Sequence, residues 1–222
     1  MKPYYEEAGI TIYHGDCREI LPQFVDCNAE AVDKIDCIIA DPPYGVGKDY
    51  GELSVDNVDT FQWAVELVAD SGIPASVHMS VSRLYDLPRR PQWTGVWNKP
   101  LGMSGLIAYP IYPHWEPIAF YNIKGDYAGN NGHRSDVYEF MPIRGDKDGH
   151  PTPKPEGLSA ELIRFFRANM IMDPFCGSGT TLVAAKNLGR LAIGIEIEER
   201  YCEIAANRLR QSVFNFELAE VV

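Results

Sequence analysis

A single α/β domain, a mostly parallel sheet covered by helices, is the fold class the sequence predicts, and three observations carry it. Short apolar runs alternate with longer stretches of helical periodicity, the pattern of strands joined by crossover helices. A length of 222 residues with 45% hydrophobic content suits one domain with a sizeable core. The Gly- and Pro-rich motifs follow directly on apolar runs, where an open parallel sheet presents its ligand-binding edge.

Taken in order, the apolar runs predict strands over 10–14, 35–40, 75–81, 95–98, 118–123, 170–173 and 191–195. Helical patterns occupy 18–24, 60–69, 158–168, 180–188 and 199–211, the last with Tyr201, Ile204, Ala205 and Leu209 at helical spacing. Between Lys124 and Pro155 the chain turns Gly-, Asp-, Asn- and Pro-rich, which predicts a long substrate-facing loop inside one domain spanning 1–222. There is no internal repeat and no low-complexity tract.

Composition narrows the function classes. No stretch approaches the roughly 18–20 apolar residues of a membrane span, and the start, Met1-Lys2-Pro3-Tyr4-Tyr5, lacks a signal peptide's apolar run, so a cytoplasmic protein without membrane contact is expected. The five cysteines (Cys17, Cys27, Cys37, Cys176, Cys202) form no Cys-x-x-Cys pair and read as reduced, mostly buried thiols; no metal site is expected. The net charge of -11 excludes a uniformly basic nucleic-acid binder, but it is unevenly spread. Residues 1–82 hold 4 Lys+Arg against 15 Asp+Glu, residues 83–154 hold 9 against 7, and residues 155–222 hold 7 against 9, so only the middle third is net positive. There Arg83, Arg89, Arg90, Lys99, Arg134, Arg144, Lys147 and Lys154 interleave with Trp93, Trp97, Tyr109, Tyr112, Trp115 and Tyr138. The mixture reads either as phosphate contact with base stacking or as a solvated surface over an aromatic core.

Two motifs carry chemistry. Asp41-Pro42-Pro43-Tyr44-Gly45 follows the strand pattern at 35–40. Two prolines remove two N–H donors and fix φ, leaving stiffly held carbonyls beside the Asp41 carboxylate: an array of acceptors without donors. Such an array suits an amino group, which offers two hydrogens, and the Tyr44 ring supplies a stacking face for a base. A bare Asp-Pro-Pro is equally a strand-ending turn; the tyrosine and the preceding strand favour the site.

The second motif, Asp173-Pro174-Phe175-Cys176-Gly177-Ser178-Gly179-Thr180, also follows a short apolar strand and opens a helix. Its glycines let a ligand approach the backbone at the helix N-terminus, and Glu196, at the end of the next strand, can accept both hydroxyls of a ribose. A dinucleotide fingerprint asks for a third glycine where this chain has Leu182. S-adenosyl-L-methionine carries no phosphate and needs only the two, so it is the cofactor expected.

With these residues in hand the chain resembles the DNA amino-methyltransferases, in the permuted, beta-type order. Asp41–Tyr44 comes first, His150-Pro151-Thr152-Pro153-Lys154-Pro155 second, and Phe175-x-Gly177-x-Gly179 third. Gly15-Asp16-Cys17, Trp97-Asn98-Lys99-Pro100 and His114-Trp115-Glu116-Pro117-Ile118 extend the likeness over nearly the whole chain. The resemblance implies a Rossmann-like methyltransferase fold: a seven-stranded, mostly parallel sheet with helices on both faces. It implies Asp41, Pro42, Pro43 and Tyr44 as catalytic residues. The cofactor would be held by Asp16, Cys17, Asp41, Thr152, Lys154, Asp173, Phe175, Cys176, Gly177, Ser178, Gly179, Thr180 and Glu196, with Asp16 near its adenine and Glu196 on its ribose. Asp16 also reads as the N-cap of the following helix, and Lys154 as a solvent-facing charge in a Pro-rich loop.

The expected reaction is methyl transfer to an exocyclic amine of a flipped base in double-stranded DNA, paired with restriction or solitary. Asp at the first motif position favours adenine N6 over cytosine N4 in the resembled group, and without a Pro-Cys nucleophile pair methylation at cytosine carbon 5 is excluded. A catalytically silent, methyltransferase-like DNA-binding subunit and an enzyme acting on RNA or protein glutamine are the competing readings. Target choice is expected in a small insertion over about 100–149, with a homodimer or an accessory subunit left open.

Overall fold

The computed structural model describes residues 1–25, 35–45, 56–100, 114–123, 135–143 and 153–211. All seven expected strands are present among β2 (Ile10–His14), β3 (Cys37–Ala40), β4 (Ala75–His78), β5 (Trp93–Asn98), β6 (Trp115–Tyr121), β8 (Met170–Asp173) and β9 (Leu191–Glu196). Two more, β1 (Tyr5–Glu7) and β7 (Val137–Glu139), make a nine-stranded sheet in the order β1-β2-β9-β8-β3-β4-β6-β5-β7, correcting the expected seven. Both are three-residue edge strands with one buried side chain each, so neither leaves a hydrophobic pattern to read. Backbone pairing alone defines them: β1 folds back on β2 across Ala8 and Gly9, both at positive φ, the geometry of a two-residue hairpin turn.

The five strands β2, β9, β8, β3 and β4 run parallel, and β6 lies antiparallel between β4 and β5. Side chains alternate across this sheet as the two-residue period requires. Cys37, Ile39 and Ile171 pack into one core with α4 (Glu156–Phe166), α5 (Thr180–Asn187) and α6 (Glu199–Arg210). Ile38, Ala40 and Met172 pack into the other with α1 (Cys17–Ile20), α2 (Pro22–Val25) and α3 (Val58–Asp70). Helices therefore cover both faces, as expected.

The single helix expected over 18–24 is two short ones. Asp16 caps α1 through a hydrogen bond from the Arg18 N–H, and Pro22, with no N–H to donate, opens α2. Of the region 100–149, residues 100, 114–123 and 135–143 are described and carry β6 and β7; the remainder, with Cys27, His150, Pro151 and Thr152, lies outside the described residues. Cys17, Cys37, Cys176 and Cys202 are buried free thiols. Among the described residues no helix is long and apolar enough to cross a membrane, and no cluster of His, Cys, Asp and Glu could hold a metal ion.

From β8 the sheet is built outward through β9 to β2 on one side and through β3 to β4 on the other. That reversal opens a crevice beyond the strand ends between Asp173 and Ala40, where α/β sheets bind ligands.

Candidate active site

A cavity occupies this crevice, walled by Gly15 to Arg18 after β2, Asp41 and Pro43 after β3, His78 at the end of β4, Asp173 to Ser178 after β8, Glu196 at the end of β9, and Lys154. Both sequence motifs open into it.

The glycine-loop side is built by short-range chain geometry. Glu196, 9% exposed, accepts the Gly177 N–H at Oε2 (2.9 Å) and the Glu198 N–H at Oε1 (2.8 Å). The Ile197 N–H also bonds this carboxylate, so three backbone donors fix its orientation. Burial pushes its carboxyl above the usual range. Asp173 accepts the Phe175 N–H (3.0 Å), fixing the turn into the loop, and burial raises its carboxyl to about 7. Gly179 sits at φ 83, and a Cβ there would come within 2.8 Å of the Ala205 Cβ. The missing third glycine is compensated across the sheet: a Cβ on Gly194 would lie 2.7 Å from Leu182 Cδ1, so the strand makes room for the helix side chain. Asp16 accepts from the Arg18 backbone and guanidinium, which holds its carboxyl below its usual value, while Cys17 is buried beneath it.

The Asp41 side is assembled from distant parts of the chain. Lys154 Nζ donates to Asp41 Oδ2 at 2.7 Å, lies 3.7 Å from Glu116 Oε2, and sits 5.9 Å from the Tyr44 ring centroid. Its side chain is 10% exposed, which excludes the solvent-facing reading. Lys99, behind it, donates to Glu116 Oε1 and lies 4.6 Å over the Trp97 ring. Burial would raise the Glu116 carboxyl, but the two ammonium groups outweigh it and hold the group below its ordinary value. Burial alone would likewise lower Lys154, yet Asp41, Tyr44 and Glu116 raise it well above the ordinary lysine value. His78 is 2% exposed, and burial together with Lys154 pushes its imidazole down to about 4, keeping it neutral.

Asp41 thus has a donor already in place, and the Tyr44 and Gly45 carbonyls are also taken, by Arg83 Nε (2.6 Å) and Nη2 (2.9 Å). The array of acceptors expected from the prolines is narrowed accordingly, and the Tyr44 ring is buried at 4% exposure. In the sequence Lys99 and Arg83 read only as part of a basic region, and Glu116, although it stands in a segment that carries the family likeness, has no role of its own.

The family model for N6/N4 DNA methylases matches residues 93–207, just over half of the chain. The chain belongs to this DNA methylase family. Methylase M.ScaI of Streptomyces caespitosus is 25% identical across 96% of this chain and 86% of its own. YhdJ of Escherichia coli, named a DNA adenine methyltransferase, is 28% identical across 90% of this chain and 82% of its own. The crystal structure of the M1.HpyAVI complex with S-adenosylmethionine superposes with a TM-score of 0.66 at 24% identity, covering 90% of this chain and 99% of that one, a likeness of fold.

The methylase is an S-adenosylmethionine-dependent enzyme acting on DNA, and the cavity fits that cofactor. Among the described residues, four carboxylates, Asp16, Asp41, Asp173 and Glu196, face the cavity with only Arg18 and Lys154 as cations on its wall, which suits a ligand carrying a sulfonium and an ammonium. The glycine loop leaves backbone room beside Glu196, and the cavity reaches Asp41 without a break.

Proposed function

We propose that the methylase transfers a methyl group to the exocyclic N6 of adenine in double-stranded DNA, with the amine held at Asp41. The observation that carries this reading is the shared cavity: one continuous space touches Glu196 and the glycine loop at one end and Asp41 with Pro43 at the other. Glu196 accepts hydroxyl hydrogens of the cofactor's ribose, the loop from Phe175 to Thr180 borders its remaining parts, and Asp16 lies across the cavity for its adenine. Bound there, S-adenosylmethionine supplies an electrophilic methyl group.

The chain's own residues prepare the amine. The nitrogen lone pair of an aromatic amine is delocalised into the ring, so the nitrogen is a weak nucleophile. Acceptors on both hydrogens, the Asp41 carboxylate and the Pro42 carbonyl, favour a pyramidal nitrogen, and the carboxylate stabilises the positive charge that develops there. Tyr44 offers the flipped base its ring once the Lys154 ammonium has moved aside, and Arg83 holds the loop that carries both groups. Extruding the base from the duplex costs a few kcal/mol. The preference for adenine is supported by Asp at position 41 and by the name of the YhdJ relative.

The test is to incubate the chain with labelled S-adenosylmethionine and unmethylated duplex DNA and to identify methylated nucleosides by mass spectrometry. N6-methyladenine that disappears in Asp41→Ala, with cofactor binding retained, is the expected result, a loss of at least about 10³-fold in rate. N4-methylcytosine would keep the role of Asp41 and overturn the base.

A further inference from the structure

We propose that Glu116 is a positioning residue that receives the Lys154 ammonium when a target amine takes its place on Asp41. The inference rests on Asp41 being the amine's acceptor. Lys154 Nζ occupies Oδ2 of the carboxylate proposed to hold the base amine, at hydrogen-bond distance, with the Tyr44 ring centroid 5.9 Å away. It imitates the amine: a nitrogen donor to the carboxylate beside an aromatic face. A base amine taking Oδ2 would displace it.

Displacement into water is closed off, because the lysine side chain is 10% exposed, and a buried ammonium without a carboxylate is costly. Glu116 offers the alternative. Its Oε2 is buried and, among the described residues, accepts no hydrogen bond, although Lys154 Nζ is only 3.7 Å away. Its Oε1 is bound by Lys99, which keeps the carboxylate in place on β6. A shift of about 1 Å by the flexible lysine stem would bring Nζ into charge-assisted hydrogen-bond range of Oε2. The ammonium would still lie close enough to Asp41 to keep that carboxylate ionised. His78, a further titratable group against this cluster, is held neutral by burial and adds no competing charge. Trp97, anchored by its Nε1 donating to the Phe140 carbonyl (2.9 Å), lies 5.9 Å from Lys154 Nζ and beneath Lys99.

A double-mutant cycle tests this with labelled S-adenosylmethionine and unmethylated duplex DNA. Glu116→Gln should lower kcat about tenfold while the Kd for cofactor, read by calorimetry, changes less than about twofold. Lys154→Met should also lose activity, but adding Glu116→Gln to it should cost nothing further, because Glu116 acts only through the lysine. Glu116→Asp keeps the charge and should retain more kcat than Glu116→Gln. Losses that multiply in the double variant, or a Glu116→Gln enzyme with parental kcat, would overturn the proposal. If Glu116→Gln does not fold, as judged by thermal melting, Glu116→Asp decides: a kcat lowered about threefold at unchanged cofactor Kd is expected, and an unchanged kcat overturns the proposal. Asp41→Ala separates the two readings. Methylation that survives Asp41→Ala removes the premise that Asp41 holds the amine, whatever the cycle gives.

Discussion

The two ends of the cavity are built by opposite means. On the glycine-loop side, Glu196 bonds the N–H groups of Gly177 and Glu198, and Asp173 bonds that of Phe175, so side chains hold backbone across at most 19 residues of sequence. On the Asp41 side, the central contact joins Lys154 to a residue 113 positions earlier, and Glu116 and Lys99 come from two further strands. The first end is a rigid turn shaped by the chain itself. The second is a cluster of charges whose members can exchange partners. A cofactor common to every turnover suits the rigid end, and a base that must enter and leave suits the exchangeable one.

That contrast predicts that substitutions at the two ends separate cofactor affinity from turnover. Among the variants that separate the two ends, the largest effect is expected for Glu196→Gln, which swaps one carboxylate oxygen for an amide nitrogen that cannot accept from the backbone and presents fewer acceptors to the ribose proposed to bind there. The Kd for S-adenosylmethionine should rise about 10- to 100-fold by calorimetry, with kcat at saturating cofactor little changed. Arg83→Ala, which releases the Tyr44 and Gly45 carbonyls, should do the reverse: kcat lower by about tenfold and cofactor Kd unchanged. If either variant moved both quantities together, the division between the two ends would fail.

The smallest effect sharpens the comparison through pH. Asp173 is raised from 3.8 to about 7 in the folded chain, so between those values the unfolded chain has released a proton that the folded chain still holds, and stability falls as pH rises. His78, lowered from 6.5 to about 4, acts in the opposite sense: between those values the unfolded chain binds the extra proton, and stability rises with pH. In Asp173→Asn the falling contribution is gone. Its melting temperature should climb more steeply than the parent's from pH 4 to 6.5 and stand about 2–4 °C higher at pH 7. A variant with the parental slope would place the Asp173 carboxyl in its ordinary range.

Legibility in the sequence follows the same divide. The seven strands with apolar runs, the five helical regions and both cavity motifs can be read directly, because burial on a two- or 3.6-residue period and Gly or Pro at strand ends are local properties. The edge strands β1 and β7 escape, since their hydrogen bonds are made by backbone whose side chains face mostly outward. Thr152, expected at the cofactor, lies outside the described residues. Lys154 could be read in sequence as either a surface charge or a pocket residue, and only its burial against Asp41 decides. Glu116 and Lys99 show no local sign of their work, because each is a charge in a strand-end segment until the sheet brings β6 beside β4 and β5 beside β6.

By itself the sequence determined a mostly parallel α/β sheet, an acid one strand beyond a glycine loop, and a stiff carboxylate-bearing turn after β3. Those are consequences of periodicity, of proline's missing N–H and of glycine's freedom at positive φ. Tertiary structure alone decided that the two motifs share one cavity, that Gly194 makes the room a third loop glycine would have given, and that the Lys154 ammonium stands on the Asp41 carboxylate. The reason is physical: pairing among Asp41, Lys154, Glu116 and Lys99 is set by distance and burial, and neither exists until the strands that carry them are side by side.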